Sequence, residues 1–224
     1  RNPNWFRSEE ENGGPFIQTV RMKVIPDDQT ALAALENGEI DVDTPPPMEV
    51  KRLLSDYEGK LIPVQYQRNG WGYMLLNTTK PPLDDYRVRQ ALTYALDRQA
   101  IIDGALDGEA VVPPGPIPPV SWAYKDDLVT LDYNPAKAEQ LLQEAGYTKN
   151  ASGIYEKDGQ PLKLTFYATA NNTTIESLST MARQMWGDVG IQVDVQYMDF
   201  NAMLDTKLAP GDYDISFMAF NLSL

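Results

Sequence analysis

Strand-like and helix-like periodicities alternate along most of this 224-residue chain. Apolar residues at every second position are typical of a half-buried strand, and spacings of three and four residues are typical of an amphipathic helix. The two-residue period predicts strands over residues 17–25, 40–43, 61–67, 71–77, 153–156, 162–168, 191–195 and 213–220. Because these segments alternate with helical ones, we expect an α/β domain with a parallel or mixed sheet flanked by helices.

The strongest helical signal follows Asp84 and Asp85, either of which can cap the first turn of a helix. Apolar residues then recur at the spacing of one buried helix face, at Val88, Ala91, Leu92, Ala95, Leu96, Ile101 and Ile102. We expect one continuous helix that packs on the sheet, with its arginines bound to acidic side chains or carbonyls at its flanks.

Further helices are predicted from caps and helix breakers. A short one lies between Asp27 or Asp28 and Gly38, and another follows the cap and first-turn proline of Asn134-Pro135. The pattern Thr173-x-x-Glu176 predicts a capping box at the start of a third. Two more are expected over residues 48–55 and 200–208, and the Asp158-Gly159 dipeptide predicts a hairpin turn.

Composition excludes several classes of function. The net charge of −13 argues against nucleic acid as a partner, because phosphate binding requires a basic face. Histidine and cysteine are absent, so the common histidine- and cysteine-dependent catalytic sites and zinc sites are not expected. No glycine-rich phosphate loop or nucleophile elbow occurs. We therefore expect no catalytic residue, no metal site and no cofactor.

Four aromatic residues are candidates for a binding surface. Trp71 and Tyr73 fall on one predicted strand, and Phe217 and Phe220 fall on the last one. Strand alternation places Trp71, Tyr73 and Leu75 on one face, but large aromatic side chains are more often buried than exposed in clefts. The residues alone therefore favour a core role for these rings over a binding role.

Several segments in register resemble the family 5 extracytoplasmic solute-binding proteins, which are the oligopeptide-, dipeptide- and nickel-binding receptors of ABC importers. The most specific stretch is residues 77–102, with Pro81-Pro82, Arg87-Val88-Arg89-Gln90-Ala91-Leu92 and Asp97-Arg98. The other matching segments are Asn2-Pro3-Asn4-Trp5-Phe6, residues 31–42 (ALAALENGEIDV), residues 134–147 and Tyr213-Asp214. The matching segments occur in the same order as in the family and cover nearly the whole chain.

The resemblance implies one lobe of a type II periplasmic-binding-protein fold. Residues 1–224 would form a single domain, most of the C-terminal lobe, with the N-terminal lobe and the end of this lobe absent from the chain. The strands that end at residue 77 and near residue 220 resemble those that line the ligand cleft. The residues expected to contact ligand are Trp71, Tyr73, Asn77, Phe217, Phe220, Asn221 and Ser223. Ser223 stands where peptide-binding relatives often have an aspartate for the peptide's amino terminus.

The implied function is that of a receptor, not an enzyme. A monomeric extracytoplasmic protein, periplasmic or anchored as a lipoprotein, would capture oligopeptides between two lobes and deliver them to a membrane permease. One alternative is a hydrolase that uses two carboxylates. Another, within the same family, is a nickel or haem receptor, which the absence of histidine disfavours.

Overall fold

Residues 16–67 and 69–221 are described by a computed structural model of the chain. Its helices are α1 (Asp28–Glu36), α2 (Pro47–Asp56), α3 (Tyr86–Tyr94), α4 (Arg98–Leu106), α5 (Pro135–Glu144), α6 (Thr173–Asp188) and α7 (Phe200–Met203). Its strands are β1 (Gly70–Leu76), β2 (Thr148–Lys149), β3 (Tyr155–Lys157), β4 (Gln160–Pro161), β5 (Lys163–Thr169), β6 (Gln192–Met198) and β7 (Ile215–Asn221).

The main sheet has four strands in the order β1-β7-β5-β6. β5 is parallel to both β6 and β7, whereas β1 is antiparallel to β7. Helix α6 connects β5 to β6 and packs against both strands. The short strands β2, β3 and β4 form a second, antiparallel sheet whose last turn includes Asp158 and Gly159. The predicted α/β architecture with a mixed sheet and flanking helices is therefore confirmed.

One apolar core joins the helices to the main sheet. The buried face of α3 contributes Val88, Ala91 and Leu92, which are at most 2% exposed. Phe166 of β5 meets Trp186 of α6 edge to face at a centroid separation of 6.1 Å. The helix pattern read from the sequence is therefore confirmed at these positions.

The arginines of α3 bind groups at the ends of helices, as expected. The Arg87 guanidinium hydrogen-bonds to both carboxylate oxygens of Asp85 and reaches the carbonyl oxygen of Glu144. Arg89 donates to the carbonyl oxygens of Leu83 and Asp84, at 2.7 and 2.9 Å. The side chains of Arg87 and Arg89 therefore both help to hold α3 in place.

Side-chain caps mark the start of most helices, and at two helices, α4 and α6, the observed start differs from the prediction. Asp85 and Asn134 cap α3 and α5 as expected. The capping box at Thr173 is wrong by one residue, because Asn172 is the cap and its side chain accepts from the Ile175 amide. The continuous helix over residues 88–102 is also wrong, because Asp97 caps a new helix and separates α4 from α3.

Three predicted strands, residues 17–25, 40–43 and 61–67, are not strands in the structure. Alternation specifies which side chains share a face, but a strand also needs a neighbouring backbone for its hydrogen bonds. No strand among the described residues lies beside these segments, and Met22, Val24 and Ile62 are each at least 87% exposed.

The helix predicted over residues 200–208 forms in two parts. Helix α7 continues directly into a π-helical turn at Leu204–Leu208. Met203 of α7 is fully buried and receives a hydrogen bond on its sulfur from Ser216 Oγ at 3.6 Å. Met203 therefore covers β7 at Ser216. No helix within the described part of the chain is long and apolar enough to cross a membrane.

Candidate functional site

The candidate site lies where the parallel strands end. β5 continues through α6 to β6 on one side, while β7 lies on the other side of β5. The strand order therefore reverses at β5, and in open α/β sheets ligands bind beside the carboxyl ends of strands at such a point. We call this edge, where β5, β6 and β7 end, the carboxyl end of the sheet. Because β1 is antiparallel to β7, Trp71 near the start of β1 also lies there, opposite Phe220.

Three aromatic rings gather at the carboxyl end of the sheet and form what we call the aromatic cluster: Trp71, Tyr73 and Phe220. The rings of Tyr73 and Phe220 are stacked, with centroids 5.5 Å apart and planes 9° apart. The Trp71 ring lies 5.6 Å from Phe220 and 6.5 Å from Tyr73. Phe220 is 52% exposed, and Trp71 and Tyr73 are half-buried. The cluster is therefore an open apolar surface and not a closed core.

Strand register explains why these three rings meet. Trp71 pairs with Phe220 and Tyr73 pairs with Met218 across the β1–β7 ladder. Directly paired residues project from the same face of a sheet, so Met218 extends this surface beside Tyr73. Sequence reasoning missed Met218, because only the register of the two strands shows that it opposes Tyr73.

Phe217 lies on the opposite face of the sheet from the aromatic cluster. It is half-buried and packs against the main core, next to the partly buried Met74. A Cβ atom added at Gly72 would come within 2.7 Å of the Phe217 ring, so the ring covers the glycine. The expectation that Phe217 shares a surface with Trp71 and Phe220 is therefore wrong. Residues 217 and 220 differ by an odd number, so strand alternation puts them on different faces.

Asn77 is also separate from the aromatic cluster. It follows the other end of β1, six residues from Trp71, which corresponds to roughly 20 Å along a strand. Its side chain is buried, and its amide nitrogen donates to the carbonyl oxygens of Gly211 and Tyr213, both at 3.0 Å. Its Oδ1 accepts from the amide and the hydroxyl of Thr79. These bonds fix the loop before β7, and Asn77 does not contribute to the aromatic cluster.

The two remaining predicted contacts lie at the end of β7. Asn221 is the last residue of β7, and its backbone pairs with Gly70. This places position 221 at the carboxyl end of the sheet, beside the aromatic cluster. The prediction for Ser223 falls outside the described residues.

A lysine and a tyrosine lie farther along the same face of the sheet. Tyr167 of β5 pairs with Ser216 of β7, and the Lys207 amino group lies 5.2 Å from the centroid of the Tyr167 ring. Lys207 Nζ also donates to Asp212 Oδ2 at 2.6 Å, and this hydrogen bond raises the pKa of Lys207. The raised pKa keeps the lysine protonated, and Asp212 neutralises its charge.

A groove of about 690 Å³ lies at the other end of the sheet, near the start of β5. Its walls include Pro82, Arg87, Tyr147 and Lys157. Lys157 Nζ donates to the carbonyl oxygen of Ala145, and Arg87 binds Asp85. Both cations therefore serve internal contacts, and burial raises the pKa of Tyr147. Among the described residues that line this groove, only Tyr147 is aromatic, so the groove does not offer the stacked rings of the aromatic cluster.

Comparison with known proteins identifies similar chains. The sequence profile of the bacterial extracellular solute-binding proteins, family 5 middle region, matches residues 1–223. The oligopeptide-binding protein AppA of Bacillus subtilis is 34% identical over 218 residues, which cover 94% of this chain and 39% of AppA. The structure of AppA in complex with a nonapeptide superposes with a TM-score of 0.83 at 32% identity, covering 90% of this chain and 40% of AppA.

A nickel-complex structure is also similar. NikZ from Campylobacter jejuni in complex with Ni(L-His) superposes with a TM-score of 0.81 at 27% identity, and the match covers 90% of this chain and 39% of NikZ. The chain thus spans about 40% of the length of the relatives it matches.

Proposed function

This chain belongs to the bacterial extracellular solute-binding proteins of family 5, and from that premise we propose that it is part of a peptide receptor. The receptor captures oligopeptides in a cleft between two lobes and delivers them to the membrane permease of an ABC importer. The observation that carries the proposal is the exposed aromatic cluster at the carboxyl end of the sheet.

The aromatic cluster supports a ligand of mixed side chains. Aromatic rings offer apolar area without a directional requirement, so different side chains can pack on Trp71, Tyr73 and Phe220. The remaining affinity would come from hydrogen bonds to the peptide main chain, which are independent of sequence. An open apolar surface of this kind suits a receptor that accepts many peptides.

The single-domain assignment of residues 1–224 to the C-terminal lobe also stays a proposal, as does the existence of an N-terminal lobe outside the chain. Two observations support the proposal that a further part of the receptor packs against residues 1–224. The chain covers 39% of the AppA sequence. Residues 17–25 and 61–67 have alternating apolar side chains but no strand beside them among the described residues. We propose that the rest of the receptor packs against these two segments.

Family membership places the receptor outside the cytoplasm, because the family consists of extracellular solute-binding proteins. We propose that it acts as a monomer and that it is either periplasmic or held at the cell surface as a lipoprotein. The proposal also includes the absence of enzymatic turnover, since the aromatic cluster offers stacking surfaces and no acid–base pair.

The test is to identify what the full-length receptor binds. We expect mass spectrometry of the purified receptor to detect co-purifying peptides, and we expect calorimetry to measure their rebinding after they are removed. Residues 1–224 alone should bind the same peptides much more weakly, because one side of the cleft is missing while most of the entropy cost of binding remains. Equal affinities would contradict the two-lobed cleft. Recovery of a nickel complex or haem, with no peptide, would favour the family's other ligands.

A further inference from the structure

One carboxylate connects two helix starts that are far apart in the sequence. Asp28 is the first residue of α1, and its Oδ2 accepts from the backbone amide of Thr173 at 3.0 Å. The Thr173 hydroxyl also lies 3.4 Å from the same oxygen. The two residues are 145 positions apart in the chain. Asp28 therefore fixes the start of α1 against the start of α6.

Both helix starts favour this carboxylate for the same physical reason. The first amides of a helix have no partner within the helix, and the aligned peptide dipoles make that end partly positive. Thr173 is the first residue of the 16-residue helix α6, so its amide needs an external acceptor. Asp28 supplies this acceptor for α6. Its negative charge also lies in the first turn of α1, where it stabilises the partly positive end of that helix.

The α1–α2 pair, Asp28–Glu36 and Pro47–Asp56, is otherwise joined weakly to the sheet. Its buried residues Leu32, Ala34 and Leu53 do not belong to the main apolar core. Two further polar contacts link residues near the pair to the region after α4: Lys51 Nζ lies 2.6 Å from Asp107 Oδ2, and Gln65 Nε2 donates to Glu109 at 2.8 Å. Helix α2 also packs on α4, so polar contacts and packing on α4 together attach the pair.

The position of the contact connects it to the carboxyl end of the sheet. Helix α6 starts four residues after β5 ends at Thr169, at the point where the strand order reverses. The aromatic cluster lies at this same end of the sheet. A contact that positions α1 here therefore lies at the same end of the sheet as the candidate ligand surface, although α6 packs on the opposite face of the sheet.

We propose that Asp28 is a latch that holds the α1–α2 pair against the carboxyl end of the sheet through the amide and hydroxyl of Thr173. When the latch is broken, the pair loosens as a unit while the main core stays intact. The latch is a property of the chain itself and does not depend on which ligand the receptor binds.

Thr173→Pro breaks the latch from the side of α6. Proline is well tolerated at the first helical position, and the extended backbone of Asn172, with φ −126° and ψ 104°, is compatible with a following proline. The variant removes both donors to Asp28 but leaves the Asn172 cap to the Ile175 amide in place. Asp28→Ala breaks the latch from the other side. Asp41→Ala is the matched control, because it removes one carboxylate from an exposed position.

The readout is hydrogen–deuterium exchange of the ligand-free, full-length receptor. In Thr173→Pro we expect amides of α1 and α2 to exchange at least about fivefold faster, although the substitution is remote in sequence, while β5 is unchanged. The double variant should exchange no faster than the faster single variant, because both substitutions remove one interaction. Asp41→Ala should match the unsubstituted receptor. Unchanged exchange in α1 of Thr173→Pro, or additive effects in the double variant, would overturn the latch.

Discussion

Shortening Leu92 tests how α3 packs on the rest of the molecule. Leu92 is 2% exposed and belongs to the main core. Leu92→Ala removes the equivalent of three buried CH₂ groups, which at about 0.8 kcal/mol each costs about 2.4 kcal/mol. The cavity that remains adds to this cost, so we expect the free energy of unfolding to fall by about 2–5 kcal/mol. The indole of Trp186 donates to the carbonyl oxygen of Leu92, and the substitution leaves that backbone acceptor in place.

Urea unfolding measures this loss as a lower midpoint with an unchanged slope. The matched control is Leu128→Ala, because Leu128 is 43% exposed and the same atoms are removed from a surface position. We expect the control to lose much less stability than Leu92→Ala. A loss below about 0.5 kcal/mol for Leu92→Ala would refute the buried position of this face, since changes that small are typical of surface sites.

Three further predictions concern the backbone, a buried amide and the acid range. Gly190→Ala should destabilise the chain by more than about 1 kcal/mol, because φ is +90° and a Cβ would lie 2.5 Å from the backbone carbonyl oxygen of Gly153. Gly211 also has a positive φ, +74°, but open space surrounds it, so Gly211→Ala should cost less in the same urea-unfolding assay. Asn77→Ala should lower the unfolding midpoint by removing buried hydrogen bonds, but should leave peptide affinity within about twofold in calorimetry. The hydrogen bond from Arg87 lowers the pKa of Asp85 from its usual 3.8, so this pair stabilises the fold above that value and loses its effect as the pH falls through the lowered pKa. Arg87→Gln should therefore lose less stability on acidification than the unsubstituted chain.

The helices and the central strands could be predicted from the sequence because their signals are local. Asp85 and Asn134 cap helices through hydrogen bonds to amides two or three residues ahead, so a short window contains the whole interaction. The break at Asp97 is also local, yet the apolar spacing runs through it and hides it. Periodicity alone cannot distinguish one long helix from two helices that share a buried face.

The site depended on information that is not local. Strand alternation separates Phe217 from Phe220, but only the register of β7 with β1 shows that Phe220 shares a face with Trp71 while Phe217 packs against the core. The role of Asn77 depends on carbonyls 134 and 136 residues away. The segment 17–25 has strand periodicity but no neighbour to pair with among the described residues. Except for the separation of Phe217 from Phe220, these outcomes depended on contacts between residues far apart in the sequence.

The most direct test of the proposed cleft compares two tryptophan substitutions in the full-length receptor. Trp71 belongs to the aromatic cluster, whereas Trp122 is 99% exposed and serves as a matched control. Calorimetric titration with a peptide identified by co-purification measures Kd for Trp71→Ala, Trp122→Ala and the unsubstituted receptor. We expect Trp71→Ala to weaken binding by about 30-fold, the size of effect expected for an aromatic residue central to an interface, and Trp122→Ala to leave Kd unchanged. An unchanged Kd for a correctly folded Trp71→Ala receptor would contradict the assignment of the ligand surface to the aromatic cluster.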